Sequence, residues 1–178
     1  GTIVDDALVF VKIMNFFLKE KNLPLINTTK YRDVFEFPLI KYYSKLGFDF
    51  NEESFESLGG RFIEQYKKYR FSADLFPNIK ETISWLNNVG VIQFVVSAQE
   101  NSLLASAVQH YGLSPFFVSC HGVNNLLALK KIELAKKIKK LYISPGDQLV
   151  VIGDTLHDLE VANSIDAVPI LVSFGHCS

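Results

Sequence analysis

Two aspartates four residues apart bracket the run Asp154-Thr155-Leu156-His157-Asp158, which follows Gly153 and the apolar stretch Leu149-Val150-Val151-Ile152. Carboxylates behind a glycine turn at a strand end offer hard oxygen donors. Mg²⁺ commonly takes one or two such carboxylates together with water and substrate phosphate. The same spacing also serves helix capping, with Asp154 or Thr155 at the N-cap and Asp158 in a first turn where negative charge is favoured. A second apolar run, Phe94-Val95-Val96, ends in Ser97 and continues into Ala98-Gln99-Glu100. A hydroxyl there, with backbone N–H groups entering a helix, can cradle a phosphate oxygen; Ser97 or Asn101 can equally cap that helix. A third candidate is Lys131, or its neighbour Lys130, at the start of a helical pattern, where an ammonium can offset phosphate or carboxylate charge. Most lysines simply face solvent.

These residues need elements to hold them. From Ile79 onward, short apolar runs alternate with helical patterns of about ten residues. Helices are expected over Ile79–Asn88, Asn101–Tyr111, Ile132–Leu141 and His157–Ile165, and strands over Val91–Val96, Phe116–Val118, Leu149–Ile152 and Val168–Val172. That alternation predicts an α/β fold built on a doubly wound parallel sheet. In such sheets ligands bind beyond the carboxyl ends of the strands, where Ser97 and Asp154 fall. Ahead of this region, Ala7–Lys19 has helical spacing, with Asp5 or Asp6 available as a cap and Asn22-Leu23-Pro24 as a stop. Residues 28–69 are rich in aromatic and charged side chains with breaks at Pro38 and Gly47–Asn51, a pattern that predicts three or four short helices with the aromatics as their core.

Composition narrows the function classes. The chain has 178 residues with 18 basic and 19 acidic side chains, a balance that offers no bulk charge for nucleic acid or an anionic membrane surface. No apolar run reaches the roughly 18 residues of a membrane span. Cys120 and Cys177 have no metal-like spacing, so a reducing compartment, the cytoplasm, fits better than a disulfide framework. His110, His121, His157 and His176 show no zinc spacing and read as surface or packing residues. The sequence has no P-loop, no dinucleotide-binding glycine motif after a strand and no nucleophile elbow, which speaks against nucleotide hydrolysis, nicotinamide chemistry and serine hydrolysis.

Taken in order, the motifs resemble the haloacid dehalogenase superfamily of phosphohydrolases, in its phosphoglycolate-phosphatase-like branch. Gly1-Thr2-Ile3-Val4-Asp5-Asp6 is similar to the tail of that family's first motif, DxDGTLxDS. Phe94–Ser97 resembles the second motif, Lys131 the third, and Gly153–Asp158 the fourth. Phe174-Gly175-His176 resembles a glycine turn common after the following strand. The resemblance implies a Rossmann-like core over residues 1–10 and 74–178 with a helical cap inserted over 11–73. It further implies a phosphatase that hydrolyses a small phosphorylated metabolite through an aspartyl-phosphate. Mg²⁺ would be held by Asp154, with Asp158 binding metal directly, binding through water, or orienting its neighbours. Ser97 would hydrogen-bond the phosphoryl group, with Ala98 beside it, and Lys131 would balance the charge. Arg32, Tyr42, Tyr43 and Lys45 are the candidate cap contributors to substrate binding.

The family's two first-motif aspartates would fall immediately before Gly1. Neither Asp5 nor Asp6 replaces them, so an N-terminally incomplete sequence is expected, and relatives continue past the position of Ser178 through a further helix. Three functional readings follow: an Mg²⁺-dependent phosphatase; a catalytically silent relative that binds a phosphorylated ligand or a protein partner; and a binding domain with no phosphate chemistry. Within enzymes, a phosphomutase or a metal-independent dehalogenase shares the same motifs. A monomer or homodimer is expected.

Overall fold

The computed structural model describes residues 1–123 and 130–177; within the helix that begins at Lys130, that residue's own side chain lies outside the described part. The chain divides into two compact units, one made of residues 1–74 with 172–178 and the other of residues 75–171.

The first unit is helical. Its helices are α1 (Ala7–Glu20), α2 (Thr28–Val34), α3 (Leu39–Lys45) and α4 (Phe55–Tyr69). The apolar residues of α1 recur at three and four, and Val11, Ile13, Met14, Phe17 and Leu18 all turn inward. Asn27 caps α2 by accepting the Lys30 N–H, and Ser54 caps α4 by accepting that of Ser57. The aromatic residues do form the core: Phe17, Tyr31, Tyr42, Tyr43, Phe48 and Phe62 are buried together. Asp6 stands at the N-cap position of α1 but makes no side-chain cap. Its buried carboxylate instead accepts the Tyr66 hydroxyl at 2.8 Å. Residues 1–10 and 172–178, expected with the α/β core, group with the helices, because α1 runs unbroken across residue 10 and residues 174–177 bond to α2 and its C-cap.

The second unit alternates α5 (Ile79–Asn88), β1 (Phe94–Glu100), α6 (Asn101–His110), β2 (Ser119–Val123), α7 (Lys130–Tyr142), β3 (Val150–Gly153), α8 (Leu156–Ser164) and β4 (Val168–Leu171). Among the described residues the strands pair in parallel, β1 with β2 and β3 with β4, each pair spanned by one crossover helix. Phe94 lies opposite Ser119, and Val150 opposite Val168. Helix α6 packs on β1 and β2, α8 on β3 and β4, and α7 on β1, β2 and α8. Ala135, Val161, Ala162, Ile165 and Ala167 form the core between α7, α8 and the β3–β4 ladder, with Val151 against it.

Two boundaries differ from the sequence reading. The first strand starts at Phe94 and runs on through Ser97 to Glu100, with its register to β2 shifting between Val96 and Glu100. Phe116 closes a short 3-10 turn after Pro115, whose fixed φ suits a turn start, and the strand begins at Ser119. Strand β3 is less buried than its wholly apolar sequence suggests. Val151 faces the core while Val150 and Ile152 are about half exposed, the alternation of a strand with one covered face. Among the described residues, no helix is long and apolar enough to cross a membrane.

Candidate functional site

A buried polar cluster of the α/β unit sits where β3 passes into α8. The strand delivers Gly153 and then Asp154, both buried. A Cβ on Gly153 would stand 2.2 Å from the Asp158 Cβ, so only glycine leaves room for the Asp158 side chain to fold back beneath the strand end. Thr155 is the N-cap of α8, and its hydroxyl accepts the Asp158 N–H in a reciprocal capping box. The Asp158 carboxylate answers with one oxygen. Its Oδ2 accepts the Asp154 N–H at 3.1 Å, the Thr155 N–H at 3.0 Å and the Thr155 hydroxyl at 2.8 Å.

The other oxygen, Oδ1, accepts from the Lys131 ammonium. Lys131 is the second residue of α7, which packs on α8, so helix packing brings the lysine to the aspartate across 27 positions of sequence. Asp158 is 4% exposed, and the Lys131 side chain is 15% exposed. Burial pushes the Asp158 carboxyl up, but the Lys131 charge, with hydrogen bonds from Lys131 and Thr155, outweighs it and holds the group below its usual range. The carboxylate is therefore ionised at neutral pH and already engaged at both oxygens.

The two aspartates differ in their bonding. Asp158 accepts four hydrogen bonds, three at Oδ2 and one, from Lys131, at Oδ1, a pattern that suits an orienting role and leaves Oδ1 a second lone pair. Asp154 is the carboxylate at the strand end: its backbone N–H is fixed on Asp158, and its side chain belongs to no capping box. Among the described residues, no cluster of three or more His, Cys, Asp or Glu side chains could hold a metal. A single buried carboxylate still fits Mg²⁺, which keeps several waters and completes its shell with substrate phosphate.

Ser97 lies within β1, half-buried, and its Oγ accepts the Gln99 N–H at 3.1 Å across the irregular stretch of the strand; Ala98 is half-buried beside it. Neither Ser97 nor Asn101 caps α6. Glu100 does so, accepting the Ser102 N–H, while the Asn101 side chain accepts the Gly122 N–H of β2 at 2.6 Å. The structure thus joins Lys131, Asp154 and Asp158 in one bonded group and stations Ser97 on a strand against which α7 also packs. Arg32 belongs to the helical unit. Its guanidinium donates to the carbonyls of Gly175 at 2.9 Å and Phe174 at 3.0 Å. Tyr42 and Tyr43 are buried in the helical core, and Lys45 pairs with Glu36 at 2.8 Å.

Thr155 is the cap its position suggests, and its hydroxyl also donates to Asp158, a second use the sequence does not signal. His176 packs against Phe10 and Phe35 as expected, and in addition its Nε2 lies 3.3 Å from buried Asp6. No local pattern could signal a partner 170 positions away.

Comparison with known proteins gives the family and the fold. A family model described as haloacid dehalogenase-like hydrolase matches residues 1–172. The chain is 26% identical over 184 residues to a phosphoglycolate phosphatase of Caulobacter vibrioides, across 99% of this chain and 77% of that protein. It is 24% identical over 118 residues to a phosphoglycolate phosphatase of Pseudomonas syringae pv. syringae, across 65% of this chain and 43% of that one, so it spans less than half of the latter's length. In fold it is similar to a haloacid dehalogenase-like hydrolase of Streptococcus pneumoniae, with a TM-score of 0.86 at 18% identity, covering 100% of this chain and 83% of that one.

Proposed function

Since the chain belongs to the haloacid dehalogenase-like hydrolase family, we propose that it serves as an Mg²⁺-dependent phosphatase acting on a small phosphorylated metabolite, with phosphoglycolate the first substrate to try. The observation that carries this reading is the buried Lys131–Asp158–Asp154 group at the end of β3. Phosphoryl transfer asks for positioning and charge balance more than for covalent chemistry. A cation held rigid by a carboxylate, next to a second carboxylate at a strand end, supplies both.

Each residue has a distinct task. Asp158 orients: it fixes Lys131 with one oxygen and locks the Gly153–Thr155 turn with the other. Lys131 offers its remaining ammonium hydrogens to a phosphoryl oxygen. Ser97 contributes a hydroxyl hydrogen, since the bond it accepts from Gln99 leaves that hydrogen available. Asp154 would hold Mg²⁺, which when bound neutralises phosphoryl oxygens as charge shifts between them. The covalent half of the reading, an aspartyl-phosphate, requires an Asp-x-Asp pair ahead of the Gly1-Thr2 turn. The cytoplasm suits such a substrate.

Ligand protection provides the test. A ligand that binds only the folded state raises the melting temperature. Mg²⁺ with inorganic phosphate should raise it, and Asp154→Asn should abolish the rise. Phosphate release from phosphoglycolate, measured with and without Mg²⁺ on a polypeptide that carries the Asp-x-Asp pair, then separates turnover from binding. Protection without turnover would leave the silent binder, and no protection at all would remove phosphate chemistry from this site.

A further inference from the structure

Residues 172–177 follow β4 without regular structure and return the chain to the helical unit. Side chains fasten this stretch. The Arg32 guanidinium donates from Nε and Nη2 to two successive carbonyls, those of Gly175 and Phe174. A planar fork suits two adjacent acceptors in a way that a point-like ammonium does not.

His176 goes deeper. Its ring centroid lies 4.9 Å from that of Phe10 and 5.3 Å from that of Phe35. Nδ1 is 2.8 Å from the Tyr31 hydroxyl, and Nε2 is 3.3 Å from Asp6 Oδ1. A carboxylate only accepts, so Nε2 carries a hydrogen; the Tyr31 hydroxyl can donate to Nδ1 or accept from it, which keeps the network satisfied in either charge state of the ring. The Cys177 Sγ approaches the Phe35 carbonyl at 3.7 Å. The partners come from two helices, Asp6 at the N-cap of α1 and Tyr31 and Arg32 from α2; the same Asp6 carboxylate also accepts the Tyr66 hydroxyl of α4.

We propose that residues 172–177 are a strap that fastens the start of α1 to α2, and that its release is a local opening of the helical unit short of unfolding. One feature favours opening here. Ser173 and Phe174 are exposed, so the strap buries little apolar surface outside His176 and Cys177. Segments of that kind occupy the low end of local stability. The consequence reaches further than the strap, because Asp6 is only 5% exposed. Withdrawing His176 strips a buried carboxylate of one partner and favours admission of water to the start of α1.

Hydrogen exchange of the full chain, read by mass spectrometry, tests this with two variants. Arg32→Ala removes both carbonyl bonds from a half-buried position. His176→Phe keeps an aromatic ring in the slot and removes its polar bonds. Each should speed exchange at least tenfold in residues 172–177, and also in residues 1–12 and 28–35, while residues 94–123 and 150–171 keep their rates. Acceleration confined to 172–177 would overturn the proposal, since the strap would then be a passive tail. Equal acceleration in both units would overturn it too, as would a wild-type strap that exchanges as slowly as α4. If His176→Phe fails to fold, Arg32→Ala alone decides.

Discussion

Neutralising the Lys131–Asp158 pair one partner at a time should cost far more than removing both. Lys131→Met leaves a carboxylate that is 4% exposed without its counter-charge, although Oδ2 keeps its three donors. Breaking a buried pair from one side typically costs about 3–5 kcal/mol. The 15% exposure of the lysine places this variant near the lower end, about 3 kcal/mol. Asp158→Asn strands the ammonium and also weakens the capping box, worth about 1 kcal/mol on its own, so about 4 kcal/mol is expected. The double variant carries neither charge. Only the damaged cap and some lost packing remain, about 2 kcal/mol. The coupling between the two sites should therefore be about 5 kcal/mol by these figures, above the range usual for neighbouring residues, and anything over about 2 kcal/mol supports a desolvated pair. Urea unfolding at pH 7, followed by circular dichroism for the wild type, both singles and the double, measures all four corners. Costs that add to within about 0.5 kcal/mol would refute the reasoning. The contact would then be a screened surface pair, and nothing would hold the proposed phosphate cation in place.

Three further outcomes are expected. Tyr42→Phe should raise the melting temperature, because the Tyr42 hydroxyl is buried with no hydrogen-bond partner among the described residues; removing it at nearly constant volume should be worth about 1 kcal/mol, which a thermal scan resolves. Gly153→Ala should lower stability by 2 kcal/mol or more, on the order expected for overpacking, because the added Cβ must displace Asp158; the same variant should lose Mg²⁺ and phosphate protection in the melting assay. Stability should fall in acid with Asp158 as an identifiable contributor. Burial acts upward on its carboxyl, but Lys131 and Thr155 prevail, so it sits below its unfolded value. It therefore contributes stability that is complete above the unfolded aspartate value of about 3.9 and disappears as pH falls through the lower folded value. Urea midpoints from pH 7 down to pH 2 should show a shallower acid limb for Asp158→Asn, and an unchanged limb would contradict the ionised, lysine-paired carboxylate.

The parts of this protein legible in its sequence are those that local physics decides. Helical spacing in α1 and the apolar runs of β1 and β3 are one-dimensional signals, and they place the βαβ order correctly and β3 to within one residue. The strand that continues through Ser97 was illegible because its extra residues are polar and pair through an irregular register, which alternation cannot reveal. The division of labour between Asp154 and Asp158 was equally hidden. In the sequence they are two identical side chains with one spacing and two uses, metal binding and capping. What distinguishes them is a lysine 27 positions before Asp158, delivered by the packing of α7 on α8, and a glycine whose missing Cβ lets one carboxylate turn back. The capping use and the chemical use are not exclusive: Asp158 caps α8 with one oxygen and aims Lys131 with the other. A structural bond at a helix start is here the device that positions a candidate functional cation, so stability and chemistry at this strand end stand or fall on the same carboxylate.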